Sequence, residues 1–188
     1  MKKRGFTLLE LLIVITIMGI LVGYGGMSIR KQARARAMLR VRNEIGDFFR
    51  VAAKRSLETG KRYSVTFKLE EKIIEIERNG HITDTLKLPR ILEYGIKDTS
   101  GTYPSEFSTE LSTKGNISGN NFTLYVTRSN LSKSIDGDEE VLFAVTFYKG
   151  DNHIDYLHIR EYITISEFKL SEITSPPSSN SKMKLIKD

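Results

Sequence analysis

The longest apolar stretch of the chain lies near its beginning, at residues 6–27. Apart from Glu10 this stretch contains no charged residue. In a helix, its 22 residues span about 33 Å, against about 30 Å for the hydrocarbon core of a bilayer. The pattern therefore predicts a transmembrane helix over 6–28. A carboxylate inside such a helix costs about 2.5–3.5 kcal/mol, so Glu10 is expected to have a functional reason.

The helical pattern continues beyond this stretch. Residues 30–59 contain no proline and a single glycine, Gly46. Apolar residues recur there at steps of three and four, which is typical of a helix with one buried face. This stripe consists of Met38, Val41, Ile45, Phe48 and Ala52, with Phe49 beside it. We therefore predict an amphipathic continuation of the helix over 29–60, of which 37–58 pack against a globular head.

Beyond residue 60 the period becomes alternating, which is typical of β-strands. The stretches 63–67 and 72–77 predict a hairpin, and Asn79 with Gly80 predicts a tight turn after it. The Gly-, Ser- and Thr-rich stretch 98–121 is predicted to be a long loop with short extended pieces. Further strands are predicted at 81–88, 122–127, 141–148 and 156–165.

The pattern as a whole predicts an α+β fold, in which a long N-terminal helix packs on an antiparallel β-sheet head. The head is predicted to cover residues 61–173. The following stretch contains serines and two prolines before a basic end, so residues 174–188 are predicted to form a flexible tail.

Charge is distributed unevenly between these segments. Residues 30–62 carry a net charge of +8, from eleven Lys or Arg and three Asp or Glu, whereas residues 63–188 carry −4. The chain has no cysteine, which excludes disulfides, zinc thiolates and a cysteine nucleophile. Phosphate-binding loops, nucleophile elbows and HExxH motifs are also absent from the sequence. We therefore predict neither a catalytic site nor a cofactor, and the chain is not expected to be an enzyme.

The first ten residues carry a specific motif. The sequence KRGFTLLE at residues 3–10, followed by an apolar stretch of this length, resembles the class III leader of type IV pilins and type II secretion pseudopilins. The resemblance implies a pilin fold and a membrane prepilin peptidase that removes the leader peptide 1–5 by cutting after Gly5. The same enzyme would methylate the new amino terminus at Phe6. Glu10 matches the glutamate that pairs with the terminal amine of a neighbouring subunit.

The chemistry of this pairing also follows from the residues. A lone carboxylate in lipid is disfavoured because desolvation penalises the charged form. An ammonium group at the freed Phe6 of a neighbour offsets part of that cost, so the pair favours assembly and sets the axial register. The resemblance implies other pilin-type subunits, the assembly platform and membrane lipid as partners.

The orientation in the membrane is predicted differently by charge and by resemblance. Three cations precede the apolar stretch, but more follow it between residues 30 and 42. Counting these charges by the positive-inside rule places the C-terminal side in the cytoplasm. The resemblance instead implies a single-pass inner-membrane protein whose head lies outside, in the periplasm or at the cell surface. We adopt the orientation that the resemblance implies.

A second resemblance narrows the class of subunit. Residues 50–67 resemble the end of the helix and the first strand of GspH/FimT-type minor pseudopilins, and residues 107–126 with 143–147 resemble that family's loop and following hairpin. This implies a minor pseudopilin or pilin, a structural subunit of a type II secretion or type IV pilus filament.

Histidines and acidic residues offer little for a metal site. His153, His158 and the neighbouring acidic residues fall on different sides of a predicted strand. The acidic turn 136–140 lacks the spacing of an EF-hand. No metal site is therefore predicted.

The basic face of the helix leaves an alternative open. The residues Arg36, Arg40, Arg50, Lys54 and Arg55 provide cations that can bind phosphates without sequence preference. Some minor pilins take part in DNA uptake, so a competence pilin that binds DNA through this surface is the alternative function. The face can equally be solvated, or meet acidic neighbours and lipid headgroups. A third possibility is a membrane-anchored binding or enzymatic domain unrelated to filaments.

Overall fold

The computed structural model describes residues 7–97, 103–128, 140–149, 157–174 and 176–187, with the backbone alone at 22–28, 30 and 187. The chain divides into two compact units, Met1–Ala37 and Met38–Asp188. One helix, α1, covers Leu8–Thr59. It is followed by the strands β1 Tyr63–Lys68, β2 Ile73–Arg78, β3 His81–Lys87, β4 Leu92–Ile96, β5 Glu106–Leu111, β6 Phe122–Arg128, β7 Val141–Tyr148, β8 His158–Thr164 and β9 Met183–Lys187.

The part of α1 that belongs to the second unit buries one face. Its buried residues are Val41, Ile45, Gly46, Phe49, Ala52, Ala53 and Ser56. The predicted stripe is thus correct in period, but it is slightly rotated: Phe49 is fully buried, whereas Phe48 is only half-buried. Phe49 occupies the centre because its ring lies 4.4 Å from Phe147 and 5.7 Å from Phe67, measured between ring centroids.

Four strands form the first sheet, in the order β3-β2-β1-β5, and all its pairs are antiparallel. The predicted hairpin is confirmed, since β1 pairs with β2 in a register that sets Val65 opposite Ile76. Asn79 and Gly80 connect β2 to β3 with φ values of 52° and 78°. Two positive φ angles in succession are what a two-residue hairpin turn requires, and Asn-Gly adopts them readily.

Five strands form the second sheet, in the order β4-β6-β7-β8-β9, again with antiparallel pairs. Alternation gives this sheet two covered faces. One face contributes Phe122 and Phe147, whose rings stack 4.7 Å apart, to the core that contains Phe49. The other face is covered by the part of the chain that follows β8. This second core consists of Tyr125, Val141, Ala144, Tyr162, Phe168, Leu170, Ile173 and Met183.

The stretch 98–121, predicted to be a long loop with short extended pieces, contains the strand β5, which pairs with β1 along its length. The prediction for the end of the chain is wrong. The residues 176–187, expected to belong to a flexible tail, form the 3₁₀ turn Pro177–Ser179 and then β9, which pairs with β8. Both strands lie at sheet edges. β5 has only two apolar residues in six, and β9 follows a Ser- and Pro-rich stretch, so neither shows the sustained alternation that predicts a strand. The predicted α+β class is confirmed.

Candidate assembly site

The first turn of α1 is closed by a reciprocal pair of side-chain bonds between Thr7 and Glu10. The Glu10 carboxylate oxygen Oε2 accepts the Thr7 backbone N–H at 2.9 Å and the Thr7 hydroxyl at 3.1 Å. The Glu10 backbone N–H donates in return to the Thr7 hydroxyl oxygen at 3.3 Å. This is a capping box, which satisfies backbone donors that a helix start leaves without partners.

The capping box gives Glu10 a local role that our sequence reasoning missed. The signal was visible as T-x-x-E at residues 7–10. Both bonds fall on Oε2, so within the described residues Oε1 is left for a further donor. An ionised carboxylate has about four acceptor positions, so capping and pairing with an ammonium group are compatible. Gly5 and Phe6, the predicted cleavage and methylation positions, lie outside the described residues.

The apolar stretch that follows is exposed on all sides of the helix. Every residue from Leu8 to Leu21 is exposed, and Leu8 retains 84% of its surface. Thr16 donates its hydroxyl to the Leu12 carbonyl oxygen at 2.8 Å, which removes its need for a polar partner. A Cβ atom added at Gly19 would meet nothing within 4 Å. A helix that is apolar all round needs an external cover.

Among the described residues, no helix combines the length and the apolarity that crossing a membrane requires.

The predicted basic patch is broken up by carboxylates. Three of its members make ion pairs within the helix: Arg40 with Glu44 at 2.7 Å, Arg50 with Asp47 at 3.2 Å and Lys54 with Glu58 at 3.8 Å. A fourth, Arg55, pairs with Asp84 on β3. Arg36 is exposed and has no ion pair among the described residues. The patch is therefore less positive than the count of its cations suggests.

One further ion pair, which the sequence did not indicate, connects α1 to the second sheet. Arg42 Nε lies 3.0 Å from Oε2 of Glu161 on β8, and the Glu161 side chain retains 3% of its surface. A buried carboxylate requires a compensating charge, and Arg42 provides it. The pair fixes the second-unit part of the helix to β8.

The head offers two open clefts of about 490 Å³ each. They share Lys97, Asn121 and Phe122, and Lys97 donates its ammonium group to the Ile173 carbonyl oxygen at 2.8 Å. Neither lining contains a histidine or cysteine among the described residues, so no Ser–His or Cys–His pair faces them.

Possible metal ligands do not converge in the part of the chain that the structure describes. Within it, no group of three His, Cys, Asp or Glu side chains is arranged to hold a metal ion. His158 stacks on Tyr148 with ring centroids 4.9 Å apart. His153 and the acidic turn before Glu140 lie outside the described residues, and Glu140 itself pairs with Arg128 at 2.8 Å.

Comparison with known proteins identifies the N-terminal segment. Residues 1–24 match the family model described as the prokaryotic N-terminal methylation motif. No curated protein and no solved structure was found to match the chain at a significant level. The chain thus carries a type IV pilin-like signal, which marks a substrate of prepilin peptidase and implies assembly with other pilin-type subunits. The α+β architecture behind an N-terminal helix is consistent with a pilin fold.

Proposed function

We propose that this chain is a minor pseudopilin or pilin of the GspH/FimT type, a structural subunit of a type II secretion or type IV pilus filament. The observation that carries the proposal is the methylation motif over residues 1–24, within which residues 8–21 form a helix with exposed apolar side chains on every side. The motif is that of a structural subunit, and an apolar helix of this kind needs a lipid or protein cover. The resemblance of residues 50–67, 107–126 and 143–147 to minor pseudopilins supports the finer assignment.

In this proposal the chain inserts as a single-pass inner-membrane protein with the head outside. Residues 6–28 form the transmembrane and filament-core helix, and 29–60 form its amphipathic continuation. The membrane first covers the apolar side chains, and neighbouring subunits cover them after assembly. Prepilin peptidase and the assembly platform are the partners at these two stages.

Cleavage is the decisive test. Expression with a prepilin peptidase should shorten the chain by residues 1–5 and add a methyl group to Phe6, both measured by intact mass. Gly5→Val should stop the shortening, since a side chain at that position blocks a site built for glycine. A conservative Lys2→Arg change should leave it unaffected. If the leader remained uncut in the presence of an active peptidase, every filament function proposed for this chain would be refuted.

Glu10 provides the second test, because cutting and assembly can be separated there. Its Oε1 oxygen is left for a neighbour's Phe6 amine while Oε2 caps the helix. Glu10→Ala should still insert and be cut, but should enter filaments poorly. Glu10→Gln restores the capping geometry without the charge, so it should remain defective in assembly. Normal incorporation of Glu10→Ala would show that the pairing is not needed.

DNA uptake remains the alternative function. It depends on the cations of the predicted basic patch. Four of these five residues have carboxylate partners, which weaken the electrostatic attraction of the patch for phosphates. If the chain is a competence pilin, its DNA affinity should fall steeply with salt and should fall again when Arg50 and Lys54 are changed to Glu. If neither added salt nor the two substitutions lowered the DNA affinity, this surface would be excluded as the DNA site.

A further inference from the structure

Four cations lie immediately beyond the apolar stretch, and all but Arg36, which belongs to the predicted basic patch, have no role in the functions considered so far. They are Arg30, Lys31, Arg34 and Arg36, which we call the basic collar. From residue 11 to residue 43 the sequence contains no Asp or Glu, so the collar has no acidic neighbour along the helix. This isolation distinguishes it from the cations further along α1.

The described side chains show the same difference between the collar and the cations further along α1. Lys31 and Arg36 are exposed, and within the described residues neither they nor Arg34 make an ion pair. By contrast, Arg40 pairs with Glu44, and Arg42 pairs with the buried Glu161. Three cations that make no ion pair with the described residues, all within one short stretch, favour an anionic partner outside the chain.

We propose that the basic collar binds the phosphate headgroups of anionic phospholipids in the leaflet that the helix meets as it leaves the membrane. This inference rests on the proposed membrane insertion of residues 6–28. It adds a specific lipid class to that proposal and explains why cations follow the apolar stretch.

Distance along the helix favours lipid. At 1.5 Å per residue, Arg30 lies about 4.5 Å and Arg36 about 13.5 Å beyond Met27. The polar layer on each side of the hydrocarbon core is about 5–7 Å thick. Helical side chains lean toward the N-terminus, so Lys31, Arg34 and Arg36 lean back toward this layer. The collar therefore lies within reach of headgroup phosphates.

The angular distribution around the helix favours lipid over a one-sided partner. At about 100° per residue, the four positions fall near 0°, 40°, 100° and 240°, and the largest gap between them is about 140°. A duplex or a folded protein approaches a helix from one side and would use cations on one face. Three of the four cations fall within about 100° of one another, and Arg36 lies apart from them. A layer of headgroups surrounds the helix and can contact all four, whereas a one-sided partner cannot.

Spin-labelled lipids test the inference on the full chain, reconstituted in vesicles of phosphatidylcholine and phosphatidylglycerol. Lipid motion is slowed at the protein surface, so the slowed fraction of each labelled lipid measures selectivity. We expect an approximately fivefold preference for phosphatidylglycerol, which is what one surface cation worth about 1 kcal/mol provides. The preference should disappear in about 1 M NaCl, where the Debye length is only about 3 Å.

Matched variants locate the effect. Changing all four collar residues to Gln should abolish the preference. Changing Arg40, Arg50, Lys54 and Arg62 to Gln removes the same charge from exposed residues that have carboxylate partners, and should leave the preference intact. Equal slowing of both lipids by the unchanged chain, or a preference that survives the collar variant, would overturn the inference.

Two further outcomes separate this inference from the proposed function. Failure of the chain to stay in vesicles after alkaline extraction would refute membrane insertion itself, and with it the collar. A chain that inserts, shows no lipid preference and binds a DNA duplex through the collar residues would overturn the lipid assignment in favour of nucleic acid, while the filament proposal would stand.

Discussion

The two parts of α1 belong to one helix, yet their side chains are satisfied in opposite ways. In residues 8–21 and at Ile29 the apolar side chains are exposed, and the side-chain hydrogen bonds among the described residues up to 37 are local ones, at Thr7, Glu10 and Thr16. In residues 38–59 one face is buried in the head, and the cations are matched by carboxylates. The first part is therefore built for partners outside the chain, whereas the second part is stabilised within it.

The largest effect of breaking this comparison is expected at Phe49. Phe49→Ala removes a fully buried ring between Phe67 and Phe147, so the free energy of unfolding should fall by about 3–5 kcal/mol. Urea unfolding of the full chain in micelles, followed by near-ultraviolet circular dichroism, measures it.

Two controls make the contrast sharp. Val51, which is exposed on the same helix, should change the free energy of unfolding by less than about 0.5 kcal/mol when replaced by Ala. Leu12→Ala in the first part should likewise leave unfolding of the head unchanged. A loss at Leu12 comparable to that at Phe49 would mean that the two parts are stabilised together.

The structural features that the sequence predicted correctly are those that depend on residues close together in the chain. The helix, its period, the Asn79–Gly80 turn and the strands β1, β2, β6 and β7 all follow from local alternation or turn chemistry. The position of Phe49 rather than Phe48 at the core centre depends on where Phe67 and Phe147 come to lie. Such distant partners are not encoded in the period of the helix.

Alkaline pH should destabilise the head through Tyr125. Burial raises the pKa of Tyr125 to about 12, above about 10 in an unfolded chain. Its contribution is therefore complete below about pH 10 and is lost as the pH rises toward 12. This amounts to about 3 kcal/mol, because one pKa unit corresponds to about 1.36 kcal/mol.

Comparison with Tyr125→Phe isolates this effect. Between about pH 9 and 12, the unchanged chain should lose about 2 kcal/mol more unfolding free energy than the variant, since deprotonation of other groups is common to both. Tyrosinate absorbance should show one late-titrating tyrosine fewer in the variant. Parallel pH profiles for the two chains would contradict burial of this hydroxyl in the second core.

A smaller effect is expected from the cations, and it separates buried from exposed pairs. Arg42→Ala removes the cation beside buried Glu161 and should cost about 2 kcal/mol, less than for a fully buried pair because Arg42 is one-third exposed. Arg40→Ala removes an exposed pair with Glu44 and should cost about 0.5 kcal/mol at most. Urea unfolding measures both effects. Equal losses of unfolding free energy in the two variants would show that the buried and the exposed ion pair contribute equally.

The ion pair between Arg42 and Glu161 could not be predicted from the sequence. Arg42 and Glu161 are far apart in the chain, and no local pattern connects them. The Thr7–Glu10 box, by contrast, spans four residues and can be recognised in the sequence. The motif at residues 1–24 was recognised because its specificity lies in residue types at fixed short spacing, which needs no folded structure.

The smallest expected effect concerns the first turn of α1, where the helix depends on its own cap. Thr7→Val keeps the β-branched shape but removes the hydroxyl that donates to Glu10 and accepts its backbone N–H, so the first turn should lose about 1 kcal/mol. Amide exchange at residues 8–11 in micelles should then accelerate about fivefold, the factor that 1 kcal/mol provides. Thr16→Val is the matched control, because the Thr16 hydroxyl bonds a carbonyl that already belongs to the helix ladder. Equal acceleration in both variants would mean that the cap does not stabilise this end, and that Glu10 serves assembly alone.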